Sequence, residues 1–292
     1  MLRFADLRIW TAALIVALIA VALIQNMHSA TQVHRVPAAE VGDYFAYSFD
    51  QSGSIDETGS PEESPNPFWW LDSGGRIIVT NRIGETIQGP LAQNDPWYTE
   101  YKDTNPVDTD NGLYPQNLLR LVSRSSWDNV REEASFLITA DHFSNSENRN
   151  ESNGLLLMSR YADAGQTLYY AGIRVDGTAV IKKKYKGTYY TMAQEGIFPG
   201  TYSKATKPGT ERNLLPHKSW LRLRTDTVTN PDSSVTITLY MQNPMGSDWQ
   251  QILSATDTSQ YDGTAPITGA NPIGIRTDFM DVQFDDILAQ KI

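Results

Sequence analysis

The chain has 292 residues, a net charge of −10 and no cysteine. The missing thiol removes disulfides, thiolate catalysis and cysteine-held zinc together, leaving oxygen ligands and His28, His34, His142 and His217 for any metal. An acidic balance disfavours nucleic acid, whose phosphates demand a basic surface. Short apolar runs, evenly spaced between Gly, Pro, Asn and Asp, favour one large all-β domain over two small ones.

Residues 9–24 are apolar apart from Thr11, with Arg3 and Arg8 ahead of them and Arg35 the next arginine or lysine after. That order of charge puts the amino terminus on the inner side of a membrane and the remainder across it. Residues 1–30 are therefore expected to form one hydrophobic helix, a signal anchor, or a signal peptide if cleaved near Ala30. Residues 31–42, interrupted by Pro37, are expected to be a linker, and residues 43–292 the extracytoplasmic domain.

YFAYSFD, ending at Asp50, reads as the first strand, and the polar, proline-containing stretch after it as a solvated loop. FWWLDSGGRIIVTN reads as a hairpin turning at Gly74-Gly75, with Trp69 and Trp70 on opposite faces. Residues 85–117 read as loops, followed by a strand near 118–122 and another in SFLITADHF. GLLLMSRY, TLYYAGIRV, TAVIKKKY and TYYTMAQ predict a meander, with tight turns at Asp176-Gly177 and Lys186-Gly187. Leu221 and Leu223, then Val235, Ile237 and Leu239, repeat with period two, as half-buried strands do. In the last strand Met280, Val282 and Phe284 share a face, but the apolar parity then shifts to Ile287 and Ala289. A shift of parity inside a strand predicts a bulge at Asp285-Asp286.

WLRLRTD, VTITLYM, the Trp-containing DWQQILSATD, GIRT and the closing FDDI resemble the final strands of the concanavalin A-like lectin and laminarinase superfamily. That resemblance implies an all-β, two-sheet antiparallel jelly roll over residues 43–292, its first and last strands paired. It also implies carbohydrate as the partner, and a structural calcium near the paired ends, for which Asp50, Asp285 and Asp286 are the candidate ligands. Laminarinase-type members carry E-x-D-x-E, and alginate-lyase members a Q-x-H strand beside a tyrosine-rich one. E-x-D-x-E is not found, and no Q-x-H strand accompanies YYAGIR, which resembles the tyrosine strand.

Within the meander, Tyr169, Ala171 and Ile173 facing inward put Tyr170 and Arg174 outward, together with Lys182, Lys184 and Tyr189 from the next strands. Aromatic rings stack on sugars and cations pair with uronate or sulfate, so an acidic glycan suits this strip. Trp70 and Trp97 are further stacking candidates. The expected function is that of an exported, membrane-anchored carbohydrate-binding or cell-surface module without catalysis. A polysaccharide hydrolase or lyase is the first alternative and a structural protein that binds another protein the second.

Overall fold

The computed structural model describes residues 39–204, 213–242 and 248–292, with side chains from residue 42. The expected leader at 1–30 and most of the expected linker lie outside these residues. Among the described residues, the first strands are β1 (Ala39–Val41), β2 (Tyr44–Tyr47), β3 (Gly53–Asp56), β4 (Trp69–Ser73), β5 (Arg76–Thr80) and β6 (Ile83–Thr86). After helix α1 (Pro96–Thr104) come β7 (Leu119–Trp127), β8 (Val130–Asp141), β9 (Gly154–Ala162), β10 (Thr167–Arg174), β11 (Thr178–Tyr185) and β12 (Thr188–Gly196). The chain closes with β13 (Leu221–Thr229), β14 (Val235–Gln242), β15 (Trp249–Asp257), β16 (Asn271–Thr277) and β17 (Met280–Lys291).

These strands make two antiparallel sheets. The larger runs β15-β14-β13-β8-β17-β6-β5-β3, with the β1–β2 pair also joined to β17. The smaller runs β12-β11-β10-β9-β16-β7-β4. Phe45, Trp69, Leu121, Phe136, Tyr169 and Phe284 belong to the core between them. As the period-two pattern requires, Leu221, Leu223, Val235, Ile237 and Leu239 are all buried there.

The chain's early and late segments meet as expected, with Tyr47 of β2 opposite Ile287 of β17. The parity shift also has its structural counterpart. Along β17 the pairing with β8 moves from Asp285↔Ser135 to Leu288↔Glu133, three residues against two, and Asp286 adopts φ +52. The extra residue returns Ile287 and Ala289 to the core side.

Two expectations are corrected. Gly74-Gly75 does not close a hairpin: β4 pairs with β7 in the smaller sheet, while β5 pairs with β3 and β6 in the larger. The glycines instead carry the chain from one sheet to the other, with φ +114 and +75. A Cβ on Gly74 would stand 2.9 Å from Leu119 Cδ1, so the close approach as well as the backbone needs glycine. Residues 96–104 are helical rather than loop. Asp95 caps α1 by accepting the Trp97 N–H at 2.9 Å, and Pro96 occupies the first turn. The helix buries Tyr101 alone among its residues, so it has no apolar period to betray it.

Candidate functional site

Alternation along the smaller sheet sends Tyr169, Ala171 and Ile173 into the core and turns Tyr170 and Arg174 to the opposite face. Register then decides the neighbours: Tyr170 lies opposite Lys182, Lys184 opposite Tyr189, and Arg276 between Arg120 and Leu156. This face is not open. Trp70, Met158, Tyr161, Tyr170 and Val180 form a second buried cluster on it, and a cleft of about 680 Å³ stands over the sheet.

Tyr170, Lys182, Tyr189, Arg120 and Arg276 line the cleft from the sheet. Tyr101 and Asn105 from the region of α1, with Glu57, form one wall, and Asn148, Asn150 and Asn153 from the β8–β9 connection form another. The cations differ in their commitments. Arg276 Nε donates to Asp278 at 2.9 Å, and Arg120 lies 3.5 Å from Asp72. Among the described residues no carboxylate pairs with Lys182; burial, and then the charges of Arg174 and Arg276, hold its ammonium below the usual lysine range.

The two tyrosines are pushed apart. Burial alone would raise Tyr189, but the charges of Arg276 and Lys184 and their hydrogen bonds to the phenol outweigh it, and its pKa falls below the ordinary value. Tyr170 is raised, chiefly by burial. Their rings meet edge to face at 6.2 Å. On the wall, burial raises the Glu57 carboxyl although it accepts from the Tyr101 hydroxyl at 2.5 Å and the Gly75 N–H at 2.8 Å.

Of the residues expected to contact a ligand, Tyr170, Lys182 and Tyr189 line this cleft. Arg174 shares their face but is held by Asp176 at 2.6 Å and the Glu151 carbonyl at 2.9 Å. Lys184 donates to the Gly165 carbonyl at 2.8 Å, its ammonium 5.0 Å from the Tyr189 ring centre. Trp70 is buried against Tyr161 and donates to the Thr58 carbonyl, so its ring offers no free face. Trp97 lines a neighbouring hollow. Asp50 is ion-paired with Arg82 at 2.5 Å, while Asp285 accepts the Asp286 N–H at the bulge. These three carboxylates do not converge, and among the described residues no group of three or more acidic or histidine side chains is placed to hold a metal.

Arg120 and Arg276 were not anticipated, although a signal existed: Arg120 alternates with Leu119 and Leu121, and Arg276 with Ile273 and Ile275. Period two places both outside the core, but only the strand order brings them beside Tyr170.

Two antiparallel sheets, sealed where early and late strands pair, define an all-β sandwich, here with a cleft on one outer face lined by tyrosines and by both cations and carboxylates. No family model and no curated protein sequence matches the chain. Among solved structures it is similar to a carbohydrate-binding module from Bacillus subtilis, at 10% identity over 76% of this chain and 95% of that one, with a TM-score of 0.47. A prokaryotic β-1,3-1,4-glucanase (lichenase) from a mouse hindgut metagenome shares 8% identity over 85% and 99% of the two chains, TM-score 0.46. A Bacillus licheniformis β-glucanase shares 10% over 87% and 100%, TM-score 0.45. At these identities the likeness is one of fold.

Proposed function

We propose that this protein binds an acidic polysaccharide in the cleft over the smaller sheet, as a surface module without catalysis. The observation that carries the reading is the placement of Lys182 and Arg276 in the same cleft as the tyrosines Tyr170 and Tyr189. Cations select the carboxylate or sulfate of the sugar, and the half-exposed Tyr189 ring supplies a stacking face. The apolar stretch at 9–24, with Arg3 and Arg8 before it, supports placing the cleft outside a membrane to which the chain is anchored. The test is a titration of neutral and uronate-containing oligosaccharides of equal length. The reading expects binding of the acidic set alone, and a loss of about tenfold in Lys182→Ala, equivalent to about 1.4 kcal/mol. Equal binding of both sets, or wild-type affinity in Lys182→Ala and Arg276→Ala alike, sinks it.

A second reading, elimination of a uronate polymer, is favoured by the Tyr189–Tyr170 pair, one phenol pulled down and the other held up. In that reaction the Tyr189 phenolate takes the C5 proton while Arg276 and Lys182 hold the sugar carboxylate. The C–H electron pair forms the C4–C5 double bond, the C4–O bond breaks, and the Tyr170 hydroxyl gives its proton to the departing oxygen. Ultraviolet-absorbing unsaturated ends that appear with the parent and not with Tyr189→Phe would support it. Binding without such product leaves the first reading standing alone.

A further inference from the structure

Beside the cleft lies a second hollow of about 500 Å³, lined by Thr58, Asp72, Pro96 and Trp97. Glu57 and Glu100 line both, so the two hollows adjoin along these residues. Both linings carry carboxylates, but they differ in the rest: the cleft over the sheet adds the cations Arg120, Lys182 and Arg276, whereas the hollow at α1 adds the Trp97 indole and, among the described residues, no cation.

The indole is held in place. Trp97 sits in the first turn of α1, which Asp95 caps, and its ring packs against Tyr101 with centroids 6.3 Å apart. Its Nε1 points to Asp56 Oδ1 at 3.4 Å. Glu57 is fixed by the Tyr101 hydroxyl and the Gly75 N–H, and Asp72 accepts the Tyr161 hydroxyl at 2.7 Å. Such anchored acceptors suit sugar hydroxyl or amide donors and repel a sugar carboxylate. An aromatic face and fixed acceptors, with no cation among the residues named, suit an uncharged sugar ring.

We infer that the two adjoining hollows form a two-position site for a mixed polysaccharide, taking an acidic sugar over Lys182 and Arg276 and an uncharged sugar on Trp97. The inference rests on the acidic-glycan reading of the cleft and adds to it the order of sugars along the chain. The carboxylates at the Trp97 end select against a polymer made of uronates alone.

The experiment titrates two probes of equal length into the protein and follows heat: an oligosaccharide alternating glucuronate with N-acetylglucosamine, and an oligogalacturonate. The alternating probe should bind more tightly. Trp97→Ala should weaken it by about tenfold, about 1.4 kcal/mol, with Trp97→Phe retaining most of the affinity. Oligogalacturonate affinity should be unmoved by Trp97→Ala and should rise in Glu100→Lys, where a cation replaces a repelling carboxylate. If oligogalacturonate binds as well as the alternating probe, or Trp97→Ala weakens both alike or neither, the two-position site is overturned while the acidic cleft survives. If neither probe binds the parent protein, the acidic cleft falls with it. Circular dichroism of the variants confirms that a loss is one of contact rather than of fold.

Discussion

Lys183 of β11 and Asp257 of β15 meet at 2.7 Å between the two sheets, with neither side chain exposed. The same carboxylate oxygen accepts the Tyr169 hydroxyl at 2.6 Å, and the ammonium also donates to the carbonyls of Thr264 and Ala265. The middle lysine of the KKK run is thus a core residue, while its neighbours Lys182 and Lys184 face the other way.

Removing one partner of an enclosed pair strands the other charge, which costs about 3–5 kcal/mol. Lys183→Met should therefore lower the unfolding free energy by that amount in denaturant titration. The double variant Lys183→Met/Asp257→Leu should recover most of it. Additive losses would show that packing, not charge, dominates there.

Glu132 is fully buried on β8, and its oxygens make no hydrogen bond of normal length among the described residues. Burial raises its carboxyl well above the ordinary 4.5, with the Gly274 N–H offsetting this only in part. The unfolded chain then loses the proton first, so stability falls as pH rises from about 4.5 towards the folded value. Glu132→Met should stabilise the protein by about 1–3 kcal/mol near neutral pH and by less at pH 4. A melting temperature that drops at both pH values refutes this.

Tyr189 ionises below the ordinary tyrosine value, because the positive charges of Arg276 and Lys184 and their hydrogen bonds outweigh burial. Its phenolate cancels positive charge in the cleft. Affinity for an acidic oligosaccharide should therefore decline as pH rises through that lowered value, before the usual value of about 10. The decline should vanish in Tyr189→Phe. A binding profile with the same alkaline limb in both proteins would show that another group is titrating.

His217 lies 3.1 Å from Asp141, whose hydrogen bond raises the imidazole above its usual range against the opposing effect of burial. A raised histidine contributes stability that is full below about pH 6.5 and lost as pH rises through the folded value. His217→Gln should cost about 0.5–1 kcal/mol on the acid side of that window and progressively less above it. A pH-independent deficit would assign the loss to the Leu215 carbonyl contact instead.

The bulge gives a backbone test. Asp286 sits at φ +52, where a β-branched side chain is strained. Asp286→Val should cost about 1–3 kcal/mol and Asp286→Gly little, as read by thermal unfolding.

What the sequence by itself determined is everything set by alternation within a strand. The faces of Tyr169 and Tyr170, the buried Leu221 and Leu223, and the bulge at Asp285-Asp286 follow from period two, because successive side chains must point to opposite sides of a pleated ribbon. Tertiary structure decided which strands became neighbours, and with that the site. Gly74-Gly75 looks like a hairpin turn locally, but β4 and β5 found partners in different sheets. Arg120 and Arg276 come from strands far apart in the chain, and Glu57, Tyr101 and Asn148 reach the cleft from loops and a short helix with no apolar period. Alternation is a property of one strand, whereas a cleft is made by segments brought together from hundreds of ångströms of extended chain, and their proximity is set by the packing of the whole sandwich.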